Sequence, residues 1–524
     1  MRLPGLVLWG ASAALAQGTL ASPPDPVPAP GAVAPAVAPE AIARPLGLKE
    51  FVHRVVLGNA TGEAARLQAQ AAGKLVDAER ALYDPTLIGR ARRQATDRPR
   101  TYDEQVASLN PFDPNTRKNV VLEYGDTLQA GLRGKLPSGA TFEITHDANR
   151  RASNLLQSVD EREYRGTLAL TLKQPLLRGY GRASAEADLR VAEREQLIEE
   201  QRLLKQMLEI VGDAAGTWWR LHHAEQMLTV RRAGVQTALD LQQEARRRVE
   251  GGFAPRTDLL EAEFAIASRQ TELARVQQVI VETQARARNL LGGESDGGQA
   301  RSLLPAGGAT PERPPLDTSA SGPVPTLLLE RWPAWQIARL RLEQEQLRLD
   351  FARRQEQPDV SLELGLNRNS LTDRFKSSLE RSLGAANQGW QAGVVLEMPL
   401  DNGAARSRRE AQGLRRDAAR AQLEAESRLA TSEWTTRRGQ VHASRVELEQ
   451  LKRELAAREA LLVAERENHA TGRSRLRQLI EAQDRVDDGR MRMAEAQLRA
   501  RLADIAYLTM AGELFELFDV RLTR

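Results

Sequence analysis

Gly252-Phe253-Ala254-Pro255-Arg256-Thr257-Asp258-Leu259-Leu260-Glu261-Ala262 and Gly472-Arg473-Ser474-Arg475-Leu476-Arg477-Gln478-Leu479-Ile480-Glu481-Ala482 decide how this chain is read. The two stretches lie 220 positions apart. Each opens on glycine and carries Leu-Leu/Ile-Glu-Ala seven positions later. Each is followed by a second glycine 40 positions after the first, Gly292 or Gly512. A further pair stands upstream. Gln174-Pro175-Leu176-Leu177-Arg178-Gly179 and Met398-Pro399-Leu400-Asp401-Asn402-Gly403 each precede a long helical pattern, with Arg182 or Arg406 three residues after the glycine. Markers recurring in the same order imply an internal duplication, and a repeat sets the architecture before any local reading does.

The segments around these markers are helical in pattern. Arg182 to Glu250 contains no proline, and Leu197, Leu204, Val211 and Trp218 recur every seven residues, as do Leu221, Leu228 and Val235. Val441, Leu448, Leu455 and Leu462 keep the same rhythm within Arg406 to His469. A sustained seven-residue period makes helices that wind around neighbours. Each long helix would reach roughly 100 Å at about 1.5 Å per residue, which predicts an elongated molecule. Shorter helices are expected near Leu46 to Leu82, Pro255 to Leu291, Leu327 to Glu356 and Ser474 to Ala511. Pro255 suits a first helical turn, and Gly292 and Gly512 suit helix ends.

Strands are expected between the short and long helices. Val360, Leu362, Leu364 and Leu366 alternate with polar or small residues, as do Trp390 to Met398 and Leu168 to Leu172. Such alternation gives one apolar and one polar face, which fits a sheet with one wet face and fits membrane barrel strands equally. Their attachment to very long helices, with no other core to cover, favours the barrel. Pro85 to Pro175 is about fifty residues longer than Pro358 to Pro399. Part of the excess reads as another hairpin, Leu128 to Leu132 and Ala140 to Ile144 around Pro137-Ser138-Gly139. Its place inside or outside a barrel is left open by the pattern.

Composition narrows the class. Aromatic residues are 4% and charged residues 27%, a balance typical of long helices and coiled coils rather than a thick core. The formal net charge of +4 is spread over mixed-sign runs such as Glu244 to Glu250, with no basic stripe for nucleic acid. The chain has no cysteine, which excludes disulfides, thiolate metal sites and an N-terminal lipid anchor. Arg2, an apolar run to Leu15 and Ala14-Leu15-Ala16 predict a secretory signal peptide over 1–16. A Pro/Ala-rich spacer follows over 17–45, then repeat 1 (46–292), a Gly/Pro-rich linker (293–325), repeat 2 (326–512) and a C-terminal tail (513–524). No stretch is apolar enough for a membrane helix.

The paired Gly-x6-Leu-Leu/Ile-Glu-Ala segments, the Gln-Pro-Leu-Leu-Arg-Gly strand end and the repeat order resemble the TolC-type outer membrane efflux protein family, over about Leu46 to Gly512. The resemblance implies a mixed α/β membrane protein: a homotrimeric outer membrane β-barrel continuing into a long periplasmic α-helical coiled-coil tunnel. Its role would be a passive exit duct of a tripartite efflux pump or type I secretion system, partnered by a periplasmic adaptor and an inner membrane transporter. It implies no enzyme activity and no cofactor. Two hairpins per chain cannot close a barrel by themselves, because lipid tolerates no open sheet edge. With about four strands per chain, or more, several copies must share it.

The same resemblance places candidate functional residues. The tips at Gly251-Gly252-Phe253 and Thr471-Gly472-Arg473 would contact the adaptor. The family narrows its closed pore with acidic residues six and nine positions after the second tip glycine, which are Gln478 and Glu481 here; Asp258 and Glu261 are the first-repeat equivalents. Three copies of Glu481 would form an acidic ring favouring cations. The family's closing Tyr and Arg fall on His469 and Ser474, with Arg473 and Arg475 flanking. Glycine at each tip is equally explained by backbone geometry alone. His222-His223 lacks the i, i+4 spacing of a helical zinc pair and reads as packing or surface, and Trp218-Trp219 as helix packing. An exported soluble coiled-coil scaffold without channel activity is the competing reading.

Overall fold

The computed structural model describes residues 45–103, 120–153, 162–292, 304–305, 326–384 and 387–520. The expected signal peptide, nearly all of the spacer and most of the linker lie outside them.

Two helices dominate. α4 (Ala187–Glu250) has 64 residues and α9 (Gly403–Ala470) has 68, about 100 Å each at ~1.5 Å per residue. Short helices run beside them. α1 (Leu48–Gly58), α2 (Ala60–Arg80) and α5 (Arg256–Leu290) accompany α4, while α7 (Pro333–Gln355), led into by α6 (Thr326–Arg331), and α10 (Leu476–Ala511) accompany α9. A single turn, α3 (Arg182–Ala185), precedes α4, and α11 (Leu514–Phe518) closes the described chain. Pro255 stands just ahead of α5 as its N-cap.

The expected helices near Leu46 to Leu82 and Leu327 to Glu356 are each broken once. Asn59 breaks the first, its Oδ1 accepting from the Thr61 and Gly62 amides and so starting a new helix. Trp332 precedes Pro333 at the second break, where proline occupies the first helical turn.

Most of the buried apolar surface gathers midway along α4. Met207, Leu208, Ile210, Val211 and Trp218 there meet Phe51, Val52 and Val55 of α1, Ala287 of α5, Leu508 of α10, and Leu514 and Phe518 of α11. The Trp218 indole donates to the Leu46 carbonyl at 3.1 Å and stacks on His222. Both tryptophans and His222 thus serve packing, and burial pushes the imidazoles of His222 and His223 down. Among the described residues no acidic or histidine cluster could hold a metal.

At the N-terminal ends of α4 and α9 lies one antiparallel sheet of six strands. In order these are β2 (Thr86–Pro99), β3 (Val120–Lys135), β4 (Thr141–Ser153), β5 (Arg162–Pro175), β7 (Asp359–Thr372) and β8 (Asn387–Glu397). Two-residue strands β1 (Pro45–Leu46) and β6 (Leu304–Pro305) pair separately, in parallel. One row across the sheet is Leu87, Leu132, Ile144, Leu170, Leu366 and Trp390. The adjoining row is Thr86, Arg133, Glu143, Thr171, Gly365 and Gln391. Neighbouring positions point to opposite faces, so one face is apolar and the other polar. The apolar face is bare over much of its area, with Leu87 and Trp390 each 81% exposed.

Helix α8 (Phe375–Leu383) lies on that apolar face at its far end. Ser370 donates to the Ser378 carbonyl and His146 meets Ser382. Gly166 allows this approach, since a Cβ there would stand 2.9 Å from Ser378 O. No helix among the described residues is long and apolar enough to cross a membrane.

The six strands of the sheet fall within the expectation of about four strands per chain or more. The extra hairpin is β3–β4, paired on both sides within the sheet. β2 escaped the sequence reading because its polar-face positions, Arg90, Arg92 and Gln94, alternate with Gly89, Ala91 and Arg93 on the other face. An alternation of charged against small residues leaves little apolar signal.

Candidate gate at the helical tips

At both tips the chain reverses with one backbone pattern. Gly252 and Gly472 have φ of 75° and 74°, a left-handed conformation that favours glycine. The Gly252 amide donates to Val249 O and the Phe253 amide to Arg248 O; 220 positions on, Gly472 donates to His469 O and Arg473 to Asn468 O. The paired bonds recapture carbonyls that each long helix would otherwise leave open. Pro255 and Arg475 then take extended conformations, with ψ of 154° and 153°, before the return helices.

The Leu-Leu/Ile-Glu-Ala motif has a packing meaning. Ala262 is buried with Ala245 and Leu476, and Leu479 with Leu462 and Val486. The second position differs between tips. Ile480 packs against the Ala245 cluster, whereas Leu260 is 56% exposed.

Glu261 and Glu481 come together, lining one cleft of about 760 Å³ between α5 and α10 with Asp484, Asp487, Arg269 and Arg477. The Glu481 carboxylate accepts from Arg477 at 3.2 Å and lies 3.7 Å from Arg485. Each Glu481 therefore carries two guanidinium neighbours on its own helix. Gln478 does not join the cleft. Its Oε1 accepts from the Arg475 amide at 3.1 Å, one of the orphan donors at the start of α10. Asp258 sits half-buried in the first turn of α5, where the helix dipole favours an anion.

His469 is buried and joins the two tips. Its Nε2 accepts from Arg248 Nη1 at 3.1 Å, and its Nδ1 donates to the Ser474 carbonyl at 3.2 Å. Those partners require the neutral Nδ1–H tautomer. Ser474 takes part through its backbone; Arg473 and Arg475 are exposed on the turn and also act through backbone amides. Gly251, Phe253 and Thr471 are exposed, Phe253 at 88%.

Sequence reading missed Arg248 and Arg269, which sit in mixed-charge runs that resemble solvated faces. Arg269 is buried on α5. It donates to the Gly234 carbonyl of α4 at 2.9 Å and to Asp484 of α10 at 2.7 Å, with Asp487 4.0 Å away. One guanidinium thus ties three helices. Burial pushes the Asp487 carboxyl up despite Arg269 beside it.

A family model described as outer membrane efflux protein matches residues 140–293 and 324–513, more than half of the chain and both tips. The chain belongs to the outer membrane efflux protein family. No curated protein matches it by sequence. Among solved structures, its fold is similar to the CmeC outer membrane channel of Campylobacter jejuni, with TM-score 0.64, 13% identity, and 89% of this chain and 85% of that chain covered. It is similar also to VceC of Vibrio cholerae, with TM-score 0.61, 16% identity, and 89% and 96% covered. The open state of the Neisseria gonorrhoeae MtrE channel gives TM-score 0.62, 15% identity, and 89% of both chains covered. At these identities the likeness is one of fold. Within the family frame the tips, cleft and His469 link all fall inside the matched spans, whereas β2 and β3 precede them.

Proposed function

We propose that this protein is a passive outer membrane exit duct. Three copies would share one β-barrel, and their helices, duplicated in each chain, would line a periplasmic tunnel. A periplasmic adaptor would seat on the exposed tip residues, Gly251, Gly252, Phe253, Thr471, Gly472 and Arg473. An inner membrane transporter of an efflux pump or type I secretion system would supply the energy.

The observation that carries this reading is the sheet. Its bare apolar face is matched to a polar one and joined to helices about 100 Å long. Such a face is costly in water, at about 25 cal/mol per Å² of apolar surface, and is satisfied by lipid. A soluble scaffold would leave it uncovered.

The tips would form the gate. The Arg248–His469 bond and the Arg269 anchor hold the first coil (α4–α5) to the second (α9–α10). Breaking them frees the second coil to move outward. Glu481 and Glu261, with Asp258 and Gln478 nearby, would bias the narrowed passage toward cations, moderated by Arg477 and Arg485.

The direct test is fractionation of cells expressing the full chain, followed by denaturing gels with and without boiling. The duct predicts an outer membrane protein running as a trimer until heated. A detergent-free soluble monomer would overturn it.

A further inference from the structure

Deepening the duct reading, and resting on its three-copy arrangement, we propose that all six strands of each copy enter the barrel. Strand β8 of one copy pairs with β2 of the next, so three copies close an eighteen-stranded barrel.

The row Leu87, Leu132, Ile144, Leu170, Leu366 and Trp390 places β2 and β3 in the same apolar band as the other four strands. Strands lying outside the bilayer would have no need of an apolar row in register with it. The adjoining polar row agrees, since Arg133 of β3 and Glu143 of β4 form an ion pair at 2.8 Å on the opposite face.

The edges fit each other. β2 and β8 are the terminal strands of the sheet, and lipid tolerates no open edge. An even number of antiparallel strands makes β2 and β8 run in opposite directions. A second copy placed beside the first therefore continues the antiparallel order across the joint. Thr86 and Glu397 both mark helix-proximal strand ends, so copies related by rotation bring these ends to one height. Leu87 of one copy then faces Leu396 or Val394 of the next, about two turns of the pleat beyond its own row partner Trp390.

A barrel's diameter grows roughly in proportion to strand number. Eighteen strands would give a bore about one and a half times that of twelve, in the range that leaves an open aqueous channel.

The cysteine-free chain makes the test clean. Leu87→Cys is combined with Leu396→Cys or Val394→Cys in the full-length protein, in outer membranes, under mild oxidation. Covalent dimers and trimers that dissolve on reduction are expected. The competing pair is Ile144→Cys or Phe142→Cys with Leu396→Cys. It reports a twelve-stranded barrel in which β4 is the edge and β2–β3 stand outside. Cross-linking of that pair, or of neither pair, overturns the proposal. Polymer exclusion in planar bilayers is the second measurement. With polymer added on the extracellular side alone, an eighteen-stranded mouth admits larger poly(ethylene glycols) than a twelve-stranded one, and exclusion from that side at the smaller size counts against it. Failure of the duct reading looks different, since the heat-labile trimer would then be missing from the outer membrane altogether.

Discussion

At Gly252 the chain turns with Phe253 in solvent and Leu260 uncovered two turns later; at Gly472 a matching turn holds His469 beneath it and packs Ile480 against the first coil. The backbones agree to one degree in φ and bond for bond in their amides. What differs is where the side chains go. The first tip presents apolar surface outward, at Phe253 and Leu260. The second is clasped to the first by Arg248 and Arg269. A backbone reversal needs only glycine and two recaptured carbonyls, so it survives large changes in sequence. The clasp depends on particular side chains, and there the two tips have diverged.

The difference can be broken most severely at Arg269. Arg269→Ala leaves the buried Asp487 with only Arg490, 3.9 Å away, as a cationic neighbour and removes the tie among α4, α5 and α10. Losing one partner of a buried pair costs about 3–5 kcal/mol, discounted here because Asp484 is more than half exposed. Thermal melts of the detergent-solubilised trimer are expected to fall by several degrees, and an unchanged melt would show that the coils are held elsewhere.

His469→Phe should separate clasp from turn. The ring still fills its space but accepts nothing from Arg248. The expected outcome is longer openings or a larger step in planar bilayers, with the melt little changed. Traces identical to wild type would remove His469 from the gate.

Gly252→Ala and Gly472→Ala sharpen the equivalence of the turns. A Cβ at either position meets nothing within 4 Å, so the cost is that of the left-handed conformation alone, about 1 kcal/mol. Equal losses are expected. Clearly unequal losses would mean that the matched hydrogen bonds conceal different turns.

Smaller effects follow from the acids. Glu481→Ala is expected to weaken block of single-channel current by divalent and trivalent cations, modestly because Arg477 and Arg485 already offset each carboxylate. Block as strong as in the wild type would dismiss the ring. For Asp487, burial raises the folded-state pKa above that of the unfolded chain. Its contribution to stability is therefore full below the ordinary aspartate range and lost as pH rises through the raised value. Asp487→Asn should raise the melting temperature slightly at neutral pH, and the gain should vanish on acidification. A gain that persists in acid would place its origin outside this titration.

Much of this was legible in the sequence because it rests on local chemistry. Seven-residue periodicity, tip glycines and proline-marked boundaries each impose a conformation by themselves, and the long helices and both reversals followed them. Leu128 to Ile144 announced its hairpin because apolar residues alternated around Pro137-Ser138-Gly139. β2 did not, since on the face of Leu87 it continues with Gly89, Ala91 and Arg93, which carry no apolar bulk. The clasp was hidden for another reason. Arg248 and Arg269 look like solvated helix residues until tertiary packing brings His469 and Asp484 to them from more than 200 residues away. Gln478, read as a lost carboxylate, turns out to cap the start of α10, a role an amide fills as well as an acid.

The central claim is a closed duct whose lock is the clasp between the two coils. Single-channel recording of the purified trimer, wild type against the Arg269→Ala, His469→Phe double variant, tests it most directly. The account predicts a small, mostly closed conductance for the wild type and a several-fold larger one for the variant. No channel activity from either protein, or equal conductance from both, would contradict it.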